Sequence, residues 1–257
     1  MASQKMIVKD VIKKADILLE VVDARFPNET RNSEIERELK RLKKPFIIVL
    51  NKCDLVPKQK VEKARTRLAR IAPSVFVSSK ERFGTTMLRH KILEVADIQG
   101  RDIKVGCIGY PNTGKSSVIN GVAGRGKAST SAISGHTKGL QIVNAGSRIV
   151  FLDTPGVFPF DEHDEYIQGL LGVKDSTHLK DPIGVAMKII EKLVDENKEI
   201  LESAYKVNIT DENSYDILEM IGEKCNFLKK KGLVDETRAA VRIINDWQKG
   251  ALLAEEL

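Results

Sequence analysis

The sequence predicts a doubly wound α/β sheet of mostly parallel strands, followed by a small helical domain. Three observations carry this. Short apolar runs alternate with amphipathic helical stretches from the N-terminus to residue 152. One of these runs, Ile103–Ile108, leads into Gly109-Tyr110-Pro111-Asn112-Thr113-Gly114-Lys115-Ser116, and a helical stretch follows at Ser116–Ala123. The composition then breaks at Phe158–Glu165, which turns acidic, and only helical periodicity follows. The boundary is placed after residue 164, giving domains 1–164 and 165–257.

Residues 4–15 read as a short amphipathic helix, with Met6, Ile7, Val11 and Ile12 near one face. Ile17–Val22 is a mostly apolar strand whose end carries Asp23-Ala24-Arg25-Phe26-Pro27. Ser33 opens a helix running to about Lys43, with Glu36 completing a capping box. Pro45–Leu50 is apolar on both faces, as in a parallel sheet covered by helices on both sides. A Lys/Arg-rich helix follows from about Lys58 to Ile71, then a strand at Val75–Val77 and a helix at Thr85–Ala96. After the helix at Ser116–Ala123, residues 124–138 hold Gly, Ser, Thr and Ala without apolar periodicity and read as a loop. Leu140–Val143 and Ile149–Leu152 read as a hairpin joined through Asn144–Ser147. Helices are expected at 182–204, 214–230 and 236–250.

Over 257 residues, Lys+Arg exceed Asp+Glu by 6. The excess is uneven: residues 1–159 carry 29 basic against 15 acidic side chains, and residues 160–257 carry 13 against 21. The basic first part suggests an anionic partner such as RNA, or a solubilising surface. No apolar run reaches the ~20 residues of a membrane span, and no signal peptide is evident. The three cysteines, Cys53, Cys107 and Cys225, are scattered and suggest neither a disulfide frame nor a zinc site. A reducing, cytoplasmic setting without a membrane partner is expected.

The residues Gly109–Ser116 match G-x-x-x-x-G-K-[ST], a phosphate-binding loop. Its glycines let backbone N–H groups close around phosphates, and the helix N-terminus adds partial positive charge. Asn112, Thr113, Gly114, Lys115, Ser116 and Ser117 line this loop; Lys115 reaches the β/γ-phosphates and Ser116 ligates Mg²⁺. Asn51-Lys52-Cys53-Asp54 is N-K-x-D at a strand end. The Asn51 amide can address the guanine O6/N7 edge, and Asp54 can accept from N1–H and the 2-amino group. The stem of Lys52 would lie over the base. Adenine lacks those donors, which disfavours an ATPase. Read alone, the same four residues also suit an ordinary strand-to-turn exit. Ser78-Ser79-Lys80 resembles a second base-contacting loop. Asp153-Thr154-Pro155-Gly156 is D-x-x-G: Asp153 would hold Mg²⁺ through water, and the Gly156 N–H would meet the γ-phosphate. Thr137, in Gly135–Gly139, is the candidate switch threonine on Mg²⁺; Ser129, Thr130, Ser131 and Ser134 share that loop.

These five elements are those of a GTPase in rotated order, with N-K-x-D and S-S-K ahead of the P-loop, the threonine and D-x-x-G. The chain resembles the circularly permuted P-loop GTPases of the YlqF/RbgA-like ribosome-assembly group. Asp23–Pro27 resembles the D-A-R-x-P of that group, and Leu218–Gly222 with Gly232–Ala240 resembles its C-terminal segment. The resemblance implies binding of GTP and GDP with Mg²⁺, slow hydrolysis, and the large ribosomal subunit and its rRNA as partners.

Val157 follows D-x-x-G where signalling GTPases place a water-orienting glutamine. The form G-x-P-N-x-G-K-S resembles potassium-stimulated GTPases, in which the asparagine helps bind K⁺ near the phosphates; Asn112 has that role or simply shapes the loop. A GTP-dependent binding module with negligible hydrolysis is the other reading of the chain. The basic helix 58–70 is a candidate phosphate contact or a solvated face, and Lys229–Lys231 is the compact basic cluster of the acidic C-terminal part. The oligomeric state is not specified by the sequence.

Overall fold

The structure is a computed structural model that describes residues 2–124, 141–146, 148–153, 165–172, 176–210 and 213–252. The chain divides into two compact units, Met1–Glu162 and His163–Leu257.

The first unit is built on six strands: β1 (Ile17–Asp23), β2 (Phe46–Asn51), β3 (Ser74–Phe76), β4 (Ile103–Ile108), β5 (Gln141–Asn144) and β6 (Ile149–Asp153). Their order is β3-β2-β1-β4-β6-β5. All neighbours pair in parallel except β5, which runs antiparallel to β6 as the hairpin reading expected. β1 and β2 are buried along their whole length, which is why both read as apolar runs. Helices α1 (Ala2–Lys14), α2 (Ser33–Arg41) and α3 (Lys58–Leu68) contribute Val11, Ile12, Ile35, Leu39 and Leu68 to one core, against Leu18, Val22, Ile48 and Leu50. Helices α4 (Thr85–Ala96) and α5 (Lys115–Ala123) contribute Leu88, Ile92, Val118 and Ile119 to the opposite core, against Leu19, Val21, Val49 and Phe151. The chain winds outward from β1 to β3, then returns to β4 on the other side of β1. The switch point therefore lies between β1 and β4, and ligands of such sheets bind there, at the carboxyl ends of the strands.

The second unit is helical: α6 (Glu165–Leu171), α7 (Pro182–Asn197), α8 (Glu199–Tyr205), α9 (Ser214–Lys224) and α10 (Glu236–Lys249). α10 packs on α6, α7 and α9, burying Ala240, Ile243, Ile244 and Trp247 with Ile189, Ile190, Ile217 and Ile221. No helix among the described residues is long and apolar enough to cross a membrane.

Several boundaries differ from the sequence reading, each for a local reason. α2 is capped by Asn32, whose side chain accepts from the N–H groups of Glu34 and Ile35. Glu36 turns to Arg31 instead of completing a box with Ser33. The helix expected over 182–204 is interrupted at Lys198, where Asn197 caps the Glu199 N–H and α8 begins. α9 stops at Lys224 rather than continuing to 230. Asn226 takes a left-handed φ of 60°, and Leu228 bridges back to Val234. α6 had no periodicity long enough to mark it.

Candidate functional site

Four polar motifs meet at the carboxyl edge of the sheet because each ends a strand of the same parallel set. Asp23 ends β1, Asn51 ends β2, Ser78 and Ser79 follow β3, and Gly109–Gly114 link β4 to α5. A fifth strand end is Asp153, paired in register with Cys107 of β4. Its side chain, and Thr137 and Gly156, lie outside the described residues.

The loop after β4 has the backbone of an anion cradle. Gly109, Asn112 and Gly114 all have positive φ, 146°, 60° and 91°. A side chain at Gly114 would collide with the Asn51 amide, and one at Gly109 with the Val21 carbonyl. Glycine at these positions thus serves both the turn and a close approach between neighbouring strand ends. Asn112 is the non-glycine residue that adopts the left-handed region at least cost here. Thr113 is fully buried and donates its hydroxyl to the Tyr110 carbonyl at 2.9 Å. Lys115, 7% exposed, donates to the carbonyls of Gly109 at 3.1 Å and Tyr110 at 2.8 Å, so its ammonium spans the loop. Ser116 and Ser117 lie in the first turn of α5, where backbone N–H groups lack intrahelical partners.

Asn51 does something the sequence reading did not assign. It is 2% exposed and its amide joins three loops. Nδ2 donates to the Thr113 carbonyl at 2.8 Å, across 62 residues of chain. Oδ1 accepts from Ser79 Oγ at 2.8 Å and from Ser79 N at 3.3 Å. The carbonyl edge of the amide is therefore committed inside the protein, and Asn51 acts as a stitch between the loops that follow β2, β3 and β4. Ser78 is also structural. It is 1% exposed, its backbone pairs in both directions with Phe83, and its hydroxyl accepts from Glu81 N. Ser79 is the member of the S-S-K triplet that touches Asn51. Lys80 is exposed, as is Asp54, which sits in a short 3-10 turn with Cys53 and Leu55.

Lys52 has a left-handed backbone, φ 63°, and its ammonium lies 2.8 Å from Asp23 Oδ2. Asp23 is fully buried. Burial pushes its carboxyl up, but the Lys52 and Arg25 cations and their hydrogen bonds outweigh this and hold it below the usual carboxylate range. Cys53 moves the other way: burial and the neighbouring Asp54 push its thiol up to about 11, so it stays protonated. Neither Asp23 nor its contact with Lys52 was legible as a site from spacing. The D-A-R-x-P string was visible, its task was not.

A family model described as 50S ribosome-binding GTPase matches residues 104–234, half of the chain. The chain belongs to this GTPase family. The match begins in β4, the strand that feeds the P-loop, and leaves β1 to β3 with N-K-x-D outside it, as the permuted order requires. A GNP-bound YlqF from T. maritima shares the fold with a TM-score of 0.63 at 23% identity, over 96% of this chain and 93% of that one. The fold is thus that of a circularly permuted P-loop GTPase. An uncharacterized GTP-binding protein of Methanocaldococcus jannaschii is 40% identical over 96% of this chain and 65% of its own length. Nucleolar GTP-binding protein 2 of Pneumocystis carinii is 32% identical over 94% of this chain and 51% of its own. The chain therefore spans between half and two thirds of these relatives. Among the described residues of this GTPase, no three His, Cys, Asp or Glu side chains converge as a metal site.

Proposed function

We propose that this chain binds GTP and hydrolyses it to GDP and phosphate as an assembly switch for the large ribosomal subunit. The observation that carries the reading is the Asn51 stitch: one amide ties N-K-x-D to the P-loop and to Ser79. A guanine held by Asp54 over the Lys52 stem, with Ser79 and Lys80 closing the pocket, then places its phosphates at Gly109–Ser117. Lys115 exchanges loop carbonyls for phosphate oxygens, and Asn112, Thr113 and Gly114 offer the backbone cradle.

The glycine cradle and the Ser116 hydroxyl at the start of α5 suit a Mg²⁺–nucleotide; Ser116, Asp153 and Thr137 would hold the metal, which would supply positive charge beside the phosphoryl oxygens, and the Gly156 N–H would meet the γ-phosphate. With Val157 in place of a glutamine, turnover by the chain alone is slow, and K⁺ held near Asn112 raises it. The same valine favours a second reading, a binding module that signals by GTP occupancy with negligible hydrolysis.

The nucleolar and 50S-binding names of its relatives and family support a ribosomal partner. α3 supplies a surface for it. Lys58, Lys63 and Arg67 of α3, with Arg70 just beyond its end, line one open face, with Glu62, paired to Arg65, the acidic exception. Successive cations along such a face suit the phosphates of an RNA strand.

The test is GTP turnover in K⁺ and in Na⁺, with and without purified large subunits, beside GDP and ADP affinities. Low turnover that rises with subunits, and GDP bound far more tightly than ADP, supports the switch. Equal affinity for GDP and ADP overturns guanine recognition, and turnover that no subunit stimulates favours the occupancy reading. Replacing Lys63 and Arg70 with alanine is expected to lower the log–log salt slope of RNA binding by about 2 and to leave GDP affinity unchanged. An unchanged slope removes α3 from the interface.

A further inference from the structure

Asp23 takes no part in the chemistry above, yet it is among the most constrained residues at the strand ends. It is the last residue of β1, pairs in register with Asn51, and has no exposed surface. Oδ1 accepts from Arg25 N at 3.1 Å and Arg25 Nε at 3.0 Å. Oδ2 accepts from an Arg25 terminal nitrogen at 2.9 Å and from Lys52 Nζ at 2.8 Å. The loop that follows is tied down as firmly. Asp23 N donates to Thr30 Oγ1, Thr30 Oγ1 donates to the Phe26 carbonyl, and Phe26 is fully buried beneath the Arg25 guanidinium. The carboxylate has no freedom to turn away from Lys52.

We infer that Asp23 is a positioning residue for guanine recognition: it anchors the Lys52 ammonium and so fixes the stem and the left-handed turn that present Lys52 and Asp54 to the base. The inference rests on the reading of N-K-x-D as the guanine loop. Its physical basis is the economy of buried ion pairs. Such a pair gains little over apolar packing, because both charges must be dehydrated, whereas it defines one orientation sharply. A lysine on an exposed turn samples many rotamers. Here its tip is held, its side chain is only 26% exposed, and its backbone occupies a conformation that non-glycine residues seldom adopt. A second clamp acts on the main chain, where Ala24 N donates to the Asn51 carbonyl at 2.8 Å. The base loop is thus held from β1 through both its backbone and its side chain, and from the P-loop through Asn51.

Binding of a fluorescent GDP to the full chain tests this with Asp23→Asn, Lys52→Met and the double variant, alongside thermal unfolding of each. Each single variant is expected to weaken GDP binding by about tenfold or more. The double variant is expected to bind no more weakly than Lys52→Met alone, since Asp23 acts through that lysine. A mere structural knot predicts lower melting temperatures with unchanged GDP affinity, or additive losses, and either result overturns the inference. Wild-type chain covers the case in which Asp23→Asn does not fold. Lysine acetylation read by mass spectrometry should modify Lys52 more slowly than Lys80 without nucleotide; equal rates overturn the inference. Failure of the wild type to prefer GDP over ADP is separate, and sinks the guanine reading together with this one.

Discussion

Glu20 and Asp23 lie on the same central strand, one at its middle and one at its end, and both are buried, 1% and 0% exposed. Their surroundings drive them in opposite directions. Asp23 meets two cations, Arg25 and Lys52, and is held below the usual carboxylate range although burial opposes this. Glu20 points into the core beneath α2. Its Oε1 accepts from Asn32 N at 2.6 Å, while Oε2 has no hydrogen-bond donor. The nearby guanidinium, Arg31, is engaged twice by Glu36, at 2.7 and 2.9 Å. Burial, and then the neighbouring Glu36, push the Glu20 carboxyl up to about 8, against a lowering by the Asn32 N–H. At neutral pH, Asp23 is an anion that organises two loops, whereas burial and the nearby Glu36 push the Glu20 carboxyl toward its protonated form. Burial alone thus decides neither charge state; the count of cations within reach does.

Loss of the Asp23 carboxylate is expected to have the largest effect. Asp23→Ala leaves the buried Arg25 and the partly buried Lys52 facing each other without a counter-charge, and is expected to cost about 3–5 kcal/mol in denaturant unfolding. A cost near zero would mean that water enters and solvates both cations.

Glu20 gives a smaller effect of opposite sign. Its folded value, about 8, lies above the ordinary glutamate value of 4.5, so the folded chain binds a proton that the unfolded chain releases. The stability linked to that proton is complete below pH 4.5 and is lost as pH rises through 8, by about 1.4 kcal/mol per pH unit. Asp23 runs the other way: its folded value lies below 3.8, and its contribution is lost as pH falls through that value. Glu20→Gln should therefore stabilise the chain at pH 8 by about 2 kcal/mol or more, with the gain vanishing toward pH 4.5. Unfolding curves at the two pH values check this, and a gain independent of pH would show that Glu20 does not titrate in that window.

The smallest effect sharpens the account of Glu20. Asn32→Ala removes the side-chain cap of α2 but keeps the backbone N–H that Glu20 accepts. It should cost about 1 kcal/mol, equally at pH 5 and pH 8. A pH-dependent cost would tie the cap itself to the Glu20–Glu36 pair.

The GTPase family, its permuted order and most strands were legible in the sequence because the signals are local. A phosphate loop, an N-K-x-D and an apolar run are defined by neighbours in the chain, and their rotated order alone identified the permutation. The hairpin of β5 and β6 was legible for the same reason. Helix ends were less so, since competing caps such as Asn32 and Ser33 differ only in which side chain has another use. The tasks of particular polar groups depend on contacts between distant segments. Asn51 reaches Thr113 across 62 residues and thereby becomes a stitch between loops. Asp23 finds Lys52 because parallel pairing of β1 with β2 puts the two strand ends side by side. The Glu20 carboxyl is pushed up only in the fold, because desolvation and Glu36 act on it once α2 covers the sheet. Local pattern specifies the elements; hydrogen bonds and ion pairs between distant segments depend on register and burial, which exist only after the sheet has closed.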